Sequence, residues 1–282
     1  MPQVCCGVPE LPDLVYYRER LEPALKDRAI RSVQVRDPVV LRNATGMSTD
    51  EFLIGGCFRS VQIRGPFLIF EMDRGLMVVN CMLAGHFSLD AKFRKSRLLE
   101  FELDAGWLAY HDSKKMGKIY LALREQTQLI PRFEDQGVDI IGPGFSKEVF
   151  LELIAKSRRQ VRAFLMDQTL LSSIGNAYAD EILFEARLHP KTFCHKLNAH
   201  EQERLFRAIQ TTMQNAIESV RAADPGLEHK YRQHVRVRNR LKASCPRCAT
   251  LIRRVAVLGH DAFFCPTCQP ADRKLFIDWS QT

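Results

Sequence analysis

Cys245-Pro246-Arg247-Cys248 and Cys265-Pro266-Thr267-Cys268 are two Cys-x-x-Cys knuckles separated by sixteen residues. Two such knuckles can set four thiolates tetrahedrally about one zinc ion with no open position, the mark of a structural site. Unrelated buried thiols are the alternative. Between the pairs, Leu251 to Val257, a turn at Gly259 and Ala262 to Phe264 read as a β-hairpin. A two-stranded hairpin is too small to hold its shape in water, so the metal would supply its folding energy. A second candidate is Ile174-Gly175-Asn176, ahead of a helical pattern. Glycine lets backbone approach a ligand closely, and free N–H groups at a helix start suit a phosphate. Asn176 is expected as the N-cap, with Asp180 and Glu181 in the first turn, where the helix dipole favours negative charge. An ordinary capped helix is the plainer reading. A third candidate is the run from His229 to Lys242, with Lys230, Arg232, Arg236, Arg238, Arg240 and Lys242. Its alternation at Arg236-Val237-Arg238 fits an extended segment beside phosphates; a solvated face is the alternative.

The rest of the chain must position these groups. It has 282 residues, 46% hydrophobic, enough for two globular domains. The formal net charge of +8 favours a polyanionic partner such as nucleic acid. There is no apolar run of membrane-spanning length and no basic-then-apolar leader, so neither a membrane span nor a secretion signal is expected. The nine cysteines are an odd number. Beyond the four knuckle residues, Cys5, Cys6, Cys57, Cys81 and Cys194 are scattered, which suits a reducing cytosol better than a disulfide framework.

Leu14, Tyr17, Leu21 and Leu25 repeat at helical spacing after Pro12, so a helix is expected to about Lys26. From Ile30 to Leu123 the pattern changes to short β-type runs. The candidates are residues 30–36, 56–63, 67–72, 76–80, 85–89, 98–103, 107–111 and 119–123. Asp73-Arg74-Gly75 and Asp104-Ala105-Gly106 look like hairpin turns, and the whole suggests a sandwich or partly closed barrel. Gln126 to Pro143 reads as a linker. Ser146 can cap a helix, Arg158 to Leu165 forms another, and a long helix follows Asn198 with Glu201 placed for a capping box. The expected domains are 1–125, a linker at 126–143, 144–228 and 229–282.

Leu165-Met166-Asp167-Gln168 followed by Gly175-Asn176-Ala177-Tyr178-Ala179-Asp180-Glu181 resembles the helix–two-turn–helix of the formamidopyrimidine-DNA glycosylase / endonuclease VIII family. Pro9-Glu10-Leu11-Pro12 and the four-cysteine finger agree with that family in the expected order. The resemblance covers roughly Pro9 to Gln269. It implies an α+β architecture: an N-terminal β-sandwich domain, then a helix–two-turn–helix domain ending in a zinc finger. It implies a monomer acting on damaged double-stranded DNA in a basic cleft, cytoplasmic and nucleoid-associated, with one structural zinc ion. It further implies a DNA-repair glycosylase with abasic-site lyase activity. The family nucleophile is a free N-terminal proline followed by an acidic glutamate, here Pro9 and Glu10. A secondary amine attacks the sugar C1′ and forms an iminium, which acidifies the neighbouring C–H and permits β-elimination. The base must first leave the stack. Asn176 would contact the DNA backbone. Leu83, Lys114 and Met116 match the residues that fill the gap left by the base, with a plain core role as the alternative for Leu83 and Met116.

The sequence departs from the family at several of these points. Pro9 is internal, so its nitrogen is an amide. Three readings follow: initiation at Val8 exposes Pro9, the lead is real and Pro2 or a lead cysteine takes a new role, or the protein does not cleave. The family's catalytic lysine before the strand at Phe67 is Pro66 here, with Arg64 the nearest cation. The finger's arginine is His260, which is cationic only when protonated. The loop Asp112-Ser113-Lys114-Lys115-Met116-Gly117 keeps the family pattern in altered form. A catalytically impaired binder of damaged DNA and a different enzyme on the same scaffold are therefore the rival expectations.

Overall fold

The computed structural model describes residues 8–92 and 96–271; Pro2, Cys5 and Cys6 lie outside them. Among the described residues no helix is long and apolar enough to cross a membrane. The chain forms two compact units, Met1–Asp135 with Val220–Tyr231, and Gln136–Ser219 with Arg232–Thr282.

In the first unit, helix α1 (Leu11–Leu25) carries Pro12 in its first turn, where a missing N–H costs nothing. Strands β1 (Ile30–Val35) and β2 (Leu41–Asn43) follow, then a short helix α2 (Thr49–Leu53). The remaining strands are β3 (Phe58–Arg64), β4 (Phe67–Met72), β5 (Gly75–Asn80), β6 (His86–Ser88), β7 (Arg97–Leu103), β8 (Trp107–His111) and β9 (Lys118–Ala122). They form one sheet in the order β1-β7-β8-β6 and another in the order β2-β9-β5-β4-β3. Both expected hairpin turns are present, joining β4 to β5 and β7 to β8. Strand β2 is not among the runs expected from the sequence; it pairs parallel to β9.

The two sheets share a core. Phe58, Phe70, Phe87, Phe101 and Tyr110 come from both of them, and Leu14, Tyr17, Leu21 and Leu25 of α1 bury in the same cluster. Phe58 meets Phe101 edge-on with ring centroids 6.0 Å apart, a geometry favoured by the ring quadrupoles. A second cluster lies on alternate residues of β4 and β5, where Ile130 and Phe133 cover Phe67, Ile69 and Val78. The apolar run Phe67-Leu68-Ile69-Phe70 is thus explained by burial on both faces.

The stretch 220–231 belongs to this unit. Val220 joins the core. The Tyr16 hydroxyl donates to Asp224 Oδ1 at 2.6 Å, and Arg20 forks onto the same carboxylate. Arg221 pairs with Glu19.

In the second unit, β10 (Val138–Asp139) pairs parallel with β11 (Leu171–Ser172). Helix α3 (Lys147–Ala155) begins at Ser146, whose hydroxyl accepts from Val149 N–H. Helices α4 (Val161–Leu165), α5 (Asn176–Glu185) and α6 (Ala199–Ala223) follow, the last four residues of α6 belonging to the first unit. The capping box of α6 forms as its sequence predicts: Asn198 Oδ1 accepts from Glu201 N–H at 2.9 Å, and Glu201 returns an acceptor at 3.0 Å. The unit ends in the hairpin β12 (Arg253–Val257) and β13 (His260–Phe264).

His189, after α5, packs edge-on against Phe264 with centroids 4.7 Å apart, and its Nδ1 accepts from Lys191 N–H. Burial pushes its imidazole down to about 4 from an ordinary value of 6.5. The unfolded chain therefore takes up a proton first as pH falls, so stability is lost from 6.5 down to about 4. The loss at pH 5 should be about 2 kcal/mol. In His189→Phe, which keeps an aromatic ring and removes the titration, the fall in Tm between pH 7 and pH 5 should shrink. An unchanged fall would rule His189 out as its source.

Candidate nucleic-acid interface and metal centre

In the first unit, Pro9 is buried and Glu10 sits at the N-cap of α1. Glu10 is 9% exposed, and its N–H donates to Asp13 Oδ2 at 2.8 Å. The pair is thus fixed to the head of a helix whose other end is embedded in the core.

Leu83 and Met116 stand on two separate loops that meet a single side chain. Leu83 is half-buried in the turn between β5 and β6. Lys230 donates to its carbonyl at 2.9 Å. Met116 is 45% exposed, so it is not a core side chain. Its loop is shaped by buried Asp112, whose carboxylate accepts from Lys114 N–H at 2.9 Å and Gly117 N–H at 2.7 Å. Lys114 is exposed, and Lys115 pairs with Asp37 at 2.6 Å. Gly85, closing the first loop, and Gly117, closing the second, both abut the Tyr110 hydroxyl. A Cβ would stand 2.2 Å from that oxygen at Gly85 and 1.9 Å at Gly117. Glycine is needed at both places, and no motif in the sequence points to Tyr110.

Met116→Ala should leave Tm unchanged, because the side chain is exposed. Affinity for lesion-bearing duplex should fall about tenfold, with a smaller loss on intact duplex, since an apolar wedge acts where a base has left the stack. Equal losses on the two duplexes would exclude a wedge.

Pro66 lies between β3 and β4, and the nearest cation in the sequence is Arg64. Its Nε donates to the Phe133 carbonyl at 2.8 Å, and its guanidinium lies over the Phe133 ring.

In the second unit, Gly175 is the N-cap of α5, and Asn176 is its first helical residue. This corrects the expectation that Asn176 caps the helix. Its Oδ1 accepts instead from Arg162 Nη2 at 2.9 Å. Asp180 and Glu181 likewise lie beyond the first turn and are buried, 0% and 3% exposed. Asp180 accepts from Arg162 Nε at 2.7 Å, Arg238 Nη1 at 2.9 Å and Phe263 N–H at 3.1 Å. Burial pushes its carboxyl up while the two guanidiniums pull it down. Glu181 accepts from three successive backbone N–H groups, Arg236, Val237 and Arg238, at 2.9, 2.8 and 3.0 Å.

The alternation Arg236-Val237-Arg238 follows contacts within the protein. Val237 is buried, Arg236 pairs with Glu185 at 2.7 Å, and Arg238 reaches Asp180. The segment is stapled to α5. The sequence signal for this staple is the pair of acids inside an apolar helix, and for Arg162 a lone cation among Val161, Phe164 and Leu165.

The four cysteines converge. Their sulfurs all lie within 4.8 Å of one another. Cys248–Cys265, Cys248–Cys268 and Cys245–Cys268 are 3.4, 3.5 and 3.8 Å apart. Tetrahedral bonds of about 2.3 Å put sulfurs about 3.8 Å apart, so the group fits zinc. Backbone N–H groups of Arg247 and Cys268 point at Cys245 and Cys265 sulfur, each at 3.4 Å, which favours thiolates. Phe184, Val237, Ile252 and Phe263 cover the cluster. At the far end of the hairpin, Leu258 and Gly259 take φ of 47° and 79°, the tight two-residue turn that matches strand twist. Leu258 is 73% exposed, and His260 beside it is exposed.

Three family models match the chain in order. Residues 8–119 match the formamidopyrimidine-DNA glycosylase N-terminal domain, and residues 137–224 the formamidopyrimidine-DNA glycosylase H2TH domain. Residues 244–271 match the zinc finger found in FPG and IleRS. The formamidopyrimidine-DNA glycosylase of Symbiobacterium thermophilum is 31% identical over 273 residues, covering 93% of this chain and 90% of the relative. That of Thermus thermophilus is 31% identical, covering 93% and 98%. The solved MutM (Fpg) structure from Thermus thermophilus superposes with a TM-score of 0.82 at 30% identity, covering 94% of this chain and 100% of that one. Lactococcus lactis Fpg in complex with an abasic site containing DNA gives 0.84 at 27% identity, covering 93% and 100%. With the sandwich, the helical unit and the four-cysteine finger all matched over nearly the whole length, the chain belongs to the formamidopyrimidine-DNA glycosylase family.

Proposed function

We propose that this protein is a base-excision DNA glycosylase with abasic-site lyase activity, acting on duplex DNA that carries oxidised bases. The observation that carries the reading is the whole-chain match to formamidopyrimidine-DNA glycosylases, with similar structures held in complexes with abasic, Fapy-dG and 8-oxo-G containing DNA. Pro9 is the nucleophile once its nitrogen is a free secondary amine. The match to the N-terminal domain model begins at residue 8, which supports this assignment. Glu10 supplies the proton that lets the base depart with its bonding electrons; Pro9 nitrogen bonds to C1′ and loses its own proton, and the C1′–O4′ bond opens as O4′ takes up a proton to become a hydroxyl. The resulting iminium acidifies the C2′ proton; its loss expels the 3′ phosphate oxygen and breaks the strand. Cys245, Cys248, Cys265 and Cys268 hold one zinc ion, which braces the finger and takes no part in the reaction. Leu83, Lys114 and Met116 fill the space of the flipped base, and Asn176 and His260 contact the DNA backbone.

A duplex carrying an oxidised purine should lose the base and be nicked on incubation with the protein. Tight binding with neither reaction would favour a second reading, a binder of damaged DNA without catalysis. That reading is favoured by Pro66, which puts no ammonium where the family has one, and by the commitment of Arg64 to the Phe133 carbonyl. Such lost charge is a large term in a water-excluded site.

A further inference from the structure

We infer that Arg162 is a positioning residue: its buried guanidinium turns the Asn176 amide so that the amide nitrogen faces an anionic oxygen of the ligand. The same group ties this turn to the finger hairpin. The inference rests on the reading of Asn176 as a DNA-backbone contact.

Arg162 lies on α4 and is 1% exposed. Its Nε donates to Asp180 Oδ1, and its Nη2 is shared between Asn176 Oδ1 and the Asp261 carbonyl, each at 2.9 Å. A guanidinium has donors only, so the oxygen of the Asn176 amide must face it. The –NH2 group then points away, and it donates to no group among the described residues. Asn176 is half-buried at the start of a ten-residue helix. An amide that could rotate would offer a phosphate its oxygen half the time. One held by Arg162 offers only donors.

Burying a guanidinium is expensive, and an apolar group of the same size would often stabilise a fold as well or better. What this arginine supplies is geometry. Its fork reaches three acceptors on two elements: Asp180 within α5, Asn176 at the start of the same helix, and Asp261 next to His260 on β13. Arg238 Nη1 also donates to the Asp261 carbonyl at 2.7 Å. The Asn176 turn and the finger hairpin are thereby set by one group. A lysine keeps the charge but is a point donor that cannot fork in this way.

The test is a binding cycle with the zinc-loaded full chain and a duplex carrying a tetrahydrofuran abasic analogue. Asn176→Ala should weaken binding about tenfold, the scale of one hydrogen bond to a charged group. Arg162→Lys should weaken it by a similar factor. The double variant should be no more than about twofold weaker than either single one, because both remove the same contact. The salt slope should stay that of the parent, since no phosphate-pairing cation is lost. Asn176→Asp keeps an acceptor for Arg162, so Tm should hold while affinity drops below that of Asn176→Ala. This variant leaves Arg162 in place and decides the amide orientation even if Arg162→Lys folds poorly. Parent-like binding by Arg162→Lys, or losses that multiply in the double variant, would overturn the inference while leaving the Asn176 reading intact. Parent-like binding by Asn176→Ala or Asn176→Asp would overturn both.

Discussion

Borohydride added to abasic-site duplex and a chain beginning at Pro9 should trap a covalent protein–DNA adduct. The same chain with any residue ahead of Pro9 should trap none at that position. The difference is one bond: a proline nitrogen in an amide has no lone pair to give, whereas a free secondary amine attacks C1′ and forms a reducible iminium. An α-amino group titrates near 8, so a useful share is unprotonated at neutral pH. Pro9→Gly should keep part of the trapping, because glycine still offers a primary amine. Glu10→Gln should cut base release by about a hundredfold or more, the usual worth of a positioned acid, while sparing some cleavage of a ready-made abasic site. If the 282-residue chain is the native form, the adduct should map to the Pro2 amine or to a lysine. Neither chain trapping nor cleaving on any of several lesions would leave the non-catalytic binder as the reading.

The second large effect is expected at the finger. Cys248→Ser should take zinc from about one ion per chain to well below that, and weaken DNA binding by at least about tenfold. The hairpin has two attachments of different kinds. Its base depends on the four thiols and on the cover of Phe184 and Ile252, and its outer part on Arg162 and Arg238 holding the Asp261 carbonyl. The polar latch cannot replace the metal, since a two-stranded hairpin has too little buried area to order itself. Full zinc content in Cys248→Ser would refute the four-thiolate site. Full content loss with parent-like DNA affinity would show instead that the finger is not part of the interface.

What could be read from the sequence follows the range of the forces involved. The cysteine pairs, the hairpin turns and the Asn198–Glu201 capping box are local, and their spacing is enough to place them. Asn176 was legible as the start of a helix but not as the partner of Arg162, because that bond links residues 14 apart on two different helices. Asp180 and Glu181 look like acids at a helix start until burial is known, and only the fold shows that they collect arginines. The pairing of Tyr16 with Asp224 spans 208 residues and leaves no periodic trace. The same holds for Tyr110, whose hydroxyl matters because two glycines from different loops close on it.

The return of residues 220–231 to the first unit bears on how this protein can be divided or inherited. The chain passes from one unit to the other at residues 135–136, 219–220 and 231–232, so no single cut yields both. A fragment ending at Asp135 would lose Val220 from its core, leave Tyr16 and Arg20 without Asp224, and release the Leu83 carbonyl from Lys230. Exchange of the C-terminal half with a relative by recombination would carry a piece of the first unit along with it. A break between the halves therefore disturbs the first unit, through a twelve-residue stretch with no catalytic group assigned to it.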